Sequence, residues 1–160
     1  MSNFQSLFEV RIANYDDITA ITEITREAFI KYRELSGASR LDALNETYED
    51  VKRDIDSKIV LIALSDGLPV GSVRVEIKPD KTAYLSRFGV RMQSQNNGIG
   101  KSIMNLVDKI MQKKGVSSIS LHTDSKITSL IRFYYGRGFY IDSTDKSRGY
   151  VRAFLKKDYR

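Results

Sequence analysis

The sequence predicts an α/β domain in which strands and helices alternate along most of the chain. Apolar residues recur at helical spacing in several segments, and they alternate or run without interruption in the segments between them. A length of 160 residues suits one domain. In addition, a strand that ends at Val90 runs through a polar, glycine-containing turn into an amphipathic helix. We therefore expect residues 1–160 to form a single α/β domain.

The first half of the chain is predicted to hold a strand, two helices and a hairpin. Asp16 or Asp17 is a suitable cap for the first helix. Asp66-Gly67 is typical of a two-residue hairpin turn. The predicted elements are a strand over 8–13, a helix that carries apolar residues from 18 to 29, a loop over 31–40, a helix over 41–56, and strands over 59–64 and 70–77.

The second half is predicted to hold four strands and two helices. Gly115 is a typical glycine at the end of the helix that begins near Gly98. The predicted elements are a strand over 83–90, a helix from 98 to 114, a strand over 117–123, a helix over 127–136, and strands near 139–142 and 150–155. The complete predicted order is β-α-α-β-β-β-α-β-α-β-β.

The turn before the central helix contains two glycines, Gly98 and Gly100. Glycine adopts positive φ without strain and lets another molecule approach the main chain closely. The first N–H groups of a helix have no partner inside the helix, and they carry the positive end of its dipole. This turn therefore predicts an anion site, most often one for phosphate.

Spacing separates three phosphate-binding motifs at this turn. A dinucleotide-binding fingerprint needs a glycine where Ile103 stands. A P-loop matches Gly100-Lys101-Ser102 at its end but needs its first glycine where Gln95 stands, so it is kept only as an alternative. The third motif, Q-x-x-G-x-G, is present as Gln95, Gly98 and Gly100.

This third motif resembles the signature loop of the GNAT family of N-acetyltransferases. In that family a valine ends the preceding strand, and Val90 stands five residues ahead of Gln95. Downstream, Tyr134, Gly138 and Phe139 match the family motif Y-x-x-x-G-F. Because both motifs occur in the family order and the elements match as well, the resemblance covers nearly the whole chain.

Two positions depart from the family pattern. Met92 stands where the family often has a proline. Ile127 stands seven residues before the motif tyrosine, where the family often has an asparagine that contacts the cofactor arm. We therefore expect one such contact to be missing.

The resemblance implies the acyl-CoA N-acyltransferase fold. That fold is a mixed, mostly antiparallel sheet of about seven strands with about four helices packed on both faces, and its central strands splay apart. The implied function is transfer of the acetyl group of acetyl-CoA to a primary amine of an unidentified acceptor, either a small molecule or a peptide. The implied cosubstrate is acetyl-CoA, with no metal.

The resemblance also implies the site residues. The exposed backbone of Phe88, Gly89 and Val90 is expected to pair with the pantetheine arm. The backbone N–H near Phe88 is expected to polarise the thioester carbonyl, and Tyr134 is expected to be the general acid. The pyrophosphate is expected at the amides of Gln95, Asn96, Asn97, Gly98, Ile99 and Gly100, with Lys101 and Ser102 close by.

The general base has no matching residue, because the strand over 83–90 contains no carboxylate. Glu76 on the preceding strand, His122 and ordered water are the candidates, and Glu76 is the residue we select. The acceptor is expected to be recognised by the first two helices with their loop and by the final hairpin around 144–149. Glu34, Asp42, Glu46, Glu49 and Asp50 give the first of these regions some negative charge.

Composition excludes several other classes of site. The chain has no cysteine and one histidine, so disulfides, thiolate sites and multi-histidine metal sites are excluded. The N-terminus has no signal-peptide pattern, and we expect a cytoplasmic protein that is not membrane-bound. The net charge of +6 leaves a nucleic-acid-binding domain as a less favoured alternative. A non-catalytic acetyl-CoA sensor or scaffold and a homodimer are also left open.

Overall fold

A computed structural model describes residues 8–36, 41–91, 94–95 and 97–159. Its strands and helices follow the predicted order. They are β1 Phe8–Ile12, α1 Ile18–Leu35, α2 Tyr48–Ser57, β2 Ile59–Ser65, β3 Leu68–Ile77, β4 Thr82–Val90, α3 Ile99–Lys113, β5 Ser118–Asp124, α4 Thr128–Gly136, β6 Tyr140–Asp145 and β7 Arg152–Asp158. Two short 3-10 helices, Tyr15–Asp17 and Asp42–Asn45, precede α1 and α2.

The strands form one seven-stranded sheet in the order β1-β2-β3-β4-β5-β7-β6. Neighbouring strands run antiparallel except β4 and β5, which are parallel. These two strands pair only where Thr82–Tyr84 faces Ser118–Ser120. Beyond that point β4 and β5 separate, which confirms the predicted splay of the central strands.

Helices cover both faces of the sheet, and successive side chains of β2 are buried alternately in the two cores that result. Leu61 and Ala63 are buried in the larger core with residues of α3. Val60 and Ile62 are buried in a second core with residues of α1 and α2. Because successive strand residues point to opposite faces, one apolar strand contributes to both layers.

The first two helices differ from their predicted bounds. Residues 31–35 of the loop predicted over 31–40 continue α1, and residues 37–40 lie outside the described residues. Asp17 is the N-cap residue of α1, one of the two residues predicted, but its side chain makes no capping hydrogen bond to that helix. The side-chain cap lies one element earlier, where Asn14 forms a capping box with Asp17 around the first 3-10 helix. The second α-helix begins at Tyr48 and not at 41, because Thr47 and Asp50 form a capping box there.

The turn between β2 and β3 has the conformation that the sequence predicted. The β2–β3 turn has positive φ at both Asp66 and Gly67, which is the conformation that a two-residue hairpin turn requires. None of the helices in the described part of the chain is long and apolar enough to span a bilayer.

Candidate active site

A cleft of about 570 Å³ opens where β4 leaves β5. Its walls come from the end of β4, the loop into α3, helix α4 and the C-terminal half of α1. The lining residues include Ala28, Phe29, Tyr32, Phe88, Gly89, Val90, Ser94, Gln95, Gly98, Gly100, Lys101, Ile127, Leu130 and Phe133. The cleft is therefore built on the strand–turn–helix that the sequence singled out.

The separation of the two central strands leaves main-chain groups without ladder partners. Among the described residues, no strand pairs with 85–90 of β4 on its β5 side or with 121–124 of β5 on its β4 side. Backbone N–H and C=O groups in a protein interior need hydrogen-bond partners. An extended ligand with amide groups would supply them along β4.

The two glycines of the loop have different roles. Gly98 is the residue before α3 and has a φ of 81°, in the left-handed region that disfavours side chains. A Cβ on Gly100 would lie 3.1 Å from Cζ of Phe88, so this glycine allows α3 to start against that ring. Gly98 is thus needed for its backbone conformation, and Gly100 for close packing.

The start of α3 faces the cleft. The first hydrogen bond inside the helix runs from the amide of Ser102 to the carbonyl of Gly98, at 2.9 Å. The amides of Ile99, Gly100 and Lys101 precede it and have no intrahelical carbonyl to pair with. The side chain of Gln95 donates to the carbonyl of Val90 at 3.2 Å, so the five-residue spacing closes the loop onto the end of β4.

The predicted cofactor-binding residues divide into two groups. Seven of them line the cleft, namely Phe88, Gly89, Val90, Gln95, Gly98, Gly100 and Lys101. The side chain of Ile99 points into the core, Asn97 is exposed, and Ser102 is half-buried; none of these three lines the cleft with its side chain. Asn96 and Met92 lie outside the described residues.

A β-bulge interrupts β4 beside the cleft. Ser72 pairs with Gly89 and Arg74 pairs with Ser86, so Arg87 and Phe88 together oppose the single residue Val73. Arg87 has a φ of 53°. A left-handed conformation in a residue with a side chain costs roughly 1–2 kcal/mol, so other contacts must hold it.

Tyr134 lies under the cleft in an aromatic cluster. Its ring packs 6.3 Å from Phe88, 5.4 Å from Phe133 and 5.5 Å from Phe139, measured between centroids. Burial raises the pKa of the phenol well above its usual value, so it stays protonated throughout the physiological range. No hydrogen bond to its hydroxyl occurs within the described residues. Tyr134 is buried and is not itself among the residues that line the cleft, although Phe88 and Phe133, which contact its ring, are.

The single histidine lies on the opposite side of the gap from α4. Nδ1 of His122 is 2.7 Å from the hydroxyl oxygen of Tyr84, and its ring is 4.9 Å from that of Phe154. Tyr84 and Ser86 are two residues apart on β4, so they share a face of the sheet. That face is the one covered by α1 and α2, because Ser86 is the register partner of Arg74, whose side chain contacts Thr25 of α1. On β5, pairing with β4 ends at Ser120. His122 is the next residue of β5 that points to the same face as Ser120.

The imidazole is held neutral by its surroundings. Burial lowers the pKa of His122 below its usual 6.5, and the positive charges of Arg152 and Arg148 lower it further, against Asp145, which raises it. A neutral ring has one N–H and one nitrogen that can accept a proton, and Nε2 is the acceptor in the tautomer whose Nδ1–H donates to the Tyr84 hydroxyl.

Neither Glu76 nor His122 is among the residues that line the cleft, and Glu76 is separated from the gap between β4 and β5. It is exposed, and it pairs with Tyr84 across β3 and β4, so Tyr84 stands between it and the gap. The structure also gives other partners to two carboxylates that were expected to attract an amine. Glu46 binds Arg74 and Arg87, and Asp50 caps α2.

Sequence reasoning missed Tyr32, which lines the cleft from α1. Its hydroxyl accepts a hydrogen bond of 2.8 Å from the amide of Asp124 at the end of β5. Burial and contact with Tyr150 raise its pKa. Tyr32 therefore ties α1 to the splayed end of β5, and no local signal could have indicated a partner so distant in the sequence.

Comparisons with known proteins agree with this geometry. A sequence model of the acetyltransferase (GNAT) family matches residues 18–139. The chain is 26% identical over 149 residues to a spermidine N(1)-acetyltransferase from Thermoplasma acidophilum, an alignment that covers 87% of this chain and 92% of that protein.

Solved structures show the same fold at lower identity. The PaiA N-acetyltransferase from Thermoplasma acidophilum in complex with coenzyme A has a TM-score of 0.83 and 22% identity, with 96% of this chain and 99% of that chain covered. A ribosomal-protein-alanine N-acetyltransferase from Brucella melitensis has a TM-score of 0.75 and 19% identity, with 94% and 99% covered. The family match extends over most of the chain and includes both sequence motifs, and the chain belongs to the GNAT family as an N-acetyltransferase that uses acetyl-CoA.

Proposed function

We propose that the cleft binds acetyl-CoA along β4 and that the acceptor is a primary amine entering from the face covered by α1 and α2. The observation that carries the proposal is the separation of β4 from β5 after Tyr84 and Ser120. It leaves a gap between the two strands, and His122 stands on β5 two residues after Ser120, the last paired residue.

The residues of the cleft fit acetyl-CoA. The unpaired edge of β4 at Phe88, Gly89 and Val90 suits the amides of the pantetheine arm. Gly98 leaves open space where a side chain would project. That space lies at the positive end of α3, which suits a pyrophosphate.

Bound acetyl-CoA supplies an acetyl thioester, and the chain supplies the groups that act on it. The N–H of Phe88, beside the bulge, donates a hydrogen bond to the thioester carbonyl. His122 accepts the proton of the attacking amine, and Tyr84 orients the imidazole through Nδ1. Tyr134 donates its phenolic proton to the leaving sulfur.

His122 is preferred to Glu76 as the base because of their positions. The imidazole borders the gap, whereas Glu76 lies behind Tyr84. We also propose a small molecule or a peptide as the bearer of the amine. The spermidine N(1)-acetyltransferase named above acts on a small amine, which supports a small-molecule acceptor as the first class to assay.

The test is calorimetric titration with acetyl-CoA, followed by measurement of thiol release with a panel of polyamines, amino acids and peptides. We expect micromolar binding that Gly98→Glu abolishes, and thiol release with at least one amine. A folded protein that binds no acetyl-CoA would refute the proposed cofactor site. Binding without thiol release from any amine would refute the proposed reaction.

A further inference from the structure

One buried ion-pair network contacts the bulge of β4. Arg87 holds a left-handed conformation with a φ of 53°, which is rare for a residue with a side chain. Such conformations persist where the surrounding structure determines them. The side-chain contacts of Arg87 are therefore the natural source of the restraint.

Within the described part of the chain, Arg87 is held by one carboxylate. Its Nε donates to Oε2 of Glu46 at 3.1 Å. The side chain of Glu46 is only 9% exposed, so this contact is shielded from water. The same carboxylate accepts hydrogen bonds of 2.6 and 2.8 Å from the two terminal nitrogens of Arg74.

Arg74 fixes Glu46 in place. Its side chain is fully buried on β3, and its residue partner across the sheet is Ser86, immediately before Arg87. Glu46 follows the second 3-10 helix and belongs to no strand. Its carboxylate is therefore positioned by two guanidinium groups from neighbouring strands, and it bridges them.

We propose that Glu46 is a positioning residue for acetyl transfer: by holding the side chain of Arg87 it fixes the left-handed bulge and, with it, the backbone N–H of Phe88. This inference rests on the proposed function, in which that N–H donates to the thioester carbonyl. Glu46 is not one of the residues that line the cleft, so its effect on the reaction is indirect, and its direct contact with the bulge is through Arg87.

Asp54 provides a matched control. It also accepts a hydrogen bond from Arg74, at 2.9 Å, and its other ion-pair partner is Lys58. Its contacts do not include Arg87. Asp54→Asn thus weakens the same buried network without releasing the bulge.

The first test compares Glu46→Gln with Asp54→Asn in steady-state kinetics at saturating amine. A displacement of about 1 Å in a catalytic group is sufficient to lower a rate about 10²-fold. We expect Glu46→Gln to lower kcat by about that factor while KM for acetyl-CoA stays within about twofold. Asp54→Asn is expected to keep kcat within about twofold even if both variants unfold at lower urea concentration.

Two further measurements do not depend on turnover. In ¹⁵N-labelled protein, the amide resonances of Arg87 and Phe88 are expected to shift in Glu46→Gln and to stay in place in Asp54→Asn. Arg87→Gly removes the anchored side chain but adopts positive φ freely. In that background, Glu46→Gln should change kcat by less than about twofold, because the two residues act through one contact.

The outcomes separate this inference from the proposed function. Equal kcat for the two carboxylate variants, with unshifted Arg87 and Phe88 amides in both, would overturn the role of Glu46. If the wild-type protein turns over no amine, the proposed reaction fails, and the amide resonances alone decide whether Glu46 holds the bulge. If Glu46→Gln does not fold, Arg87→Met tests the same contact with the Arg74–Glu46 pair intact. It should show the same loss of kcat, and wild-type kcat would overturn the proposal.

Discussion

Arg74 and Glu46 form a buried, two-pronged ion pair that joins the centre of the sheet to the segment before α2. The two N–O distances are 2.6 and 2.8 Å, and the side chains are 0% and 9% exposed. Charges buried this deeply are tolerated only when they are paired and hydrogen-bonded, so loss of one partner leaves an uncompensated charge.

Arg74→Leu should therefore be strongly destabilising. We expect a loss of about 3–5 kcal/mol in the free energy of unfolding, because Glu46 and Asp54 both lose their buried cation. Urea denaturation measures the change. Arg53→Ala is the control, since the Arg53 side chain is 71% exposed and its pair with Asp50 should contribute less than about 1 kcal/mol. Similar losses in the two variants would contradict the prediction.

The effect of substituting Gly98 should depend on whether the new residue can adopt positive φ, and not on the size of its side chain. There is open space around it, but its φ is 81°. Gly98→Ala should cost roughly 1–2 kcal/mol of stability or displace the loop, and it should weaken acetyl-CoA binding measured by calorimetry. Gly98→Asn should lose less, since asparagine enters the left-handed region more readily. Equal affinity in Gly98→Ala and wild type would show that the loop does not need this conformation.

Substitution of Gly89 should be destabilising for the opposite reason, because there is no space for a side chain. A Cβ there would lie 2.6 Å from Cβ of Ala28 on α1. Gly89→Ala should destabilise by about 1–3 kcal/mol through overpacking, measured by thermal or urea unfolding. Ala28→Gly should recover part of that loss in the double variant, because it removes the atom in conflict. Additive effects of the two substitutions would place the conflict elsewhere.

Tyr134→Phe tests the proposed general acid. Since no described group hydrogen-bonds to the hydroxyl, its removal should change the free energy of unfolding by less than about 0.5 kcal/mol. Removal of a general acid typically lowers the rate about 10²–10⁴-fold, and we expect kcat to fall within that range. Tyr135→Phe, at a residue that is 52% exposed, is the control and should leave kcat unchanged. Unchanged turnover in Tyr134→Phe would assign the proton to another donor.

The pH profile tests His122. Burial together with Arg152 and Arg148 lowers its pKa below 6.5, while Asp145 opposes them; Tyr84 and Phe154 are its packing neighbours. The imidazole is therefore neutral at pH 7, and kcat should fall only when the pH drops below that lowered pKa. The raised pKa of Tyr134 predicts no loss from deprotonation up to about pH 9.

His122→Gln should remove the acidic limb of log kcat against pH and lower the plateau. Glu76→Gln is the matched comparison, and it should keep the limb, because Glu76 lies behind Tyr84. A limb that disappears in Glu76→Gln and persists in His122→Gln would transfer the role of base to Glu76.

Features that are set by residues close together in the sequence could be predicted from it. Asp66 and Gly67 lie next to each other, and their turn has the expected positive φ values. Gln95 reaches Val90 across five residues, so the spacing of the motif directly describes a contact. Strand and helix order likewise follows from local periodicity, because each element buries a face defined by its own residues.

Helix ends were less predictable, because competing caps look alike in a sequence. Asn14, Asp16 and Asp17 are all suitable capping residues. Only the geometry of the turn shows that Asn14 caps the 3-10 helix with its side chain, whereas Asp17 is the N-cap of α1 without a capping hydrogen bond to that helix. In the same way, α2 begins at Tyr48, after the N-cap Thr47, and not at residue 41 as the apolar pattern indicated.

The sequence by itself determined the order of elements, the glycine loop and the family. Tertiary structure alone decided which distant side chains meet. Arg74 and Glu46 are 28 residues apart, and Tyr32 lies 92 residues from the amide that it accepts from. The requirement for glycine at Gly89 is likewise set by Ala28 on another element. Such contacts produce no local pattern in the sequence, because they arise when whole helices pack against the sheet. The residues around the site are held in place by contacts of this kind.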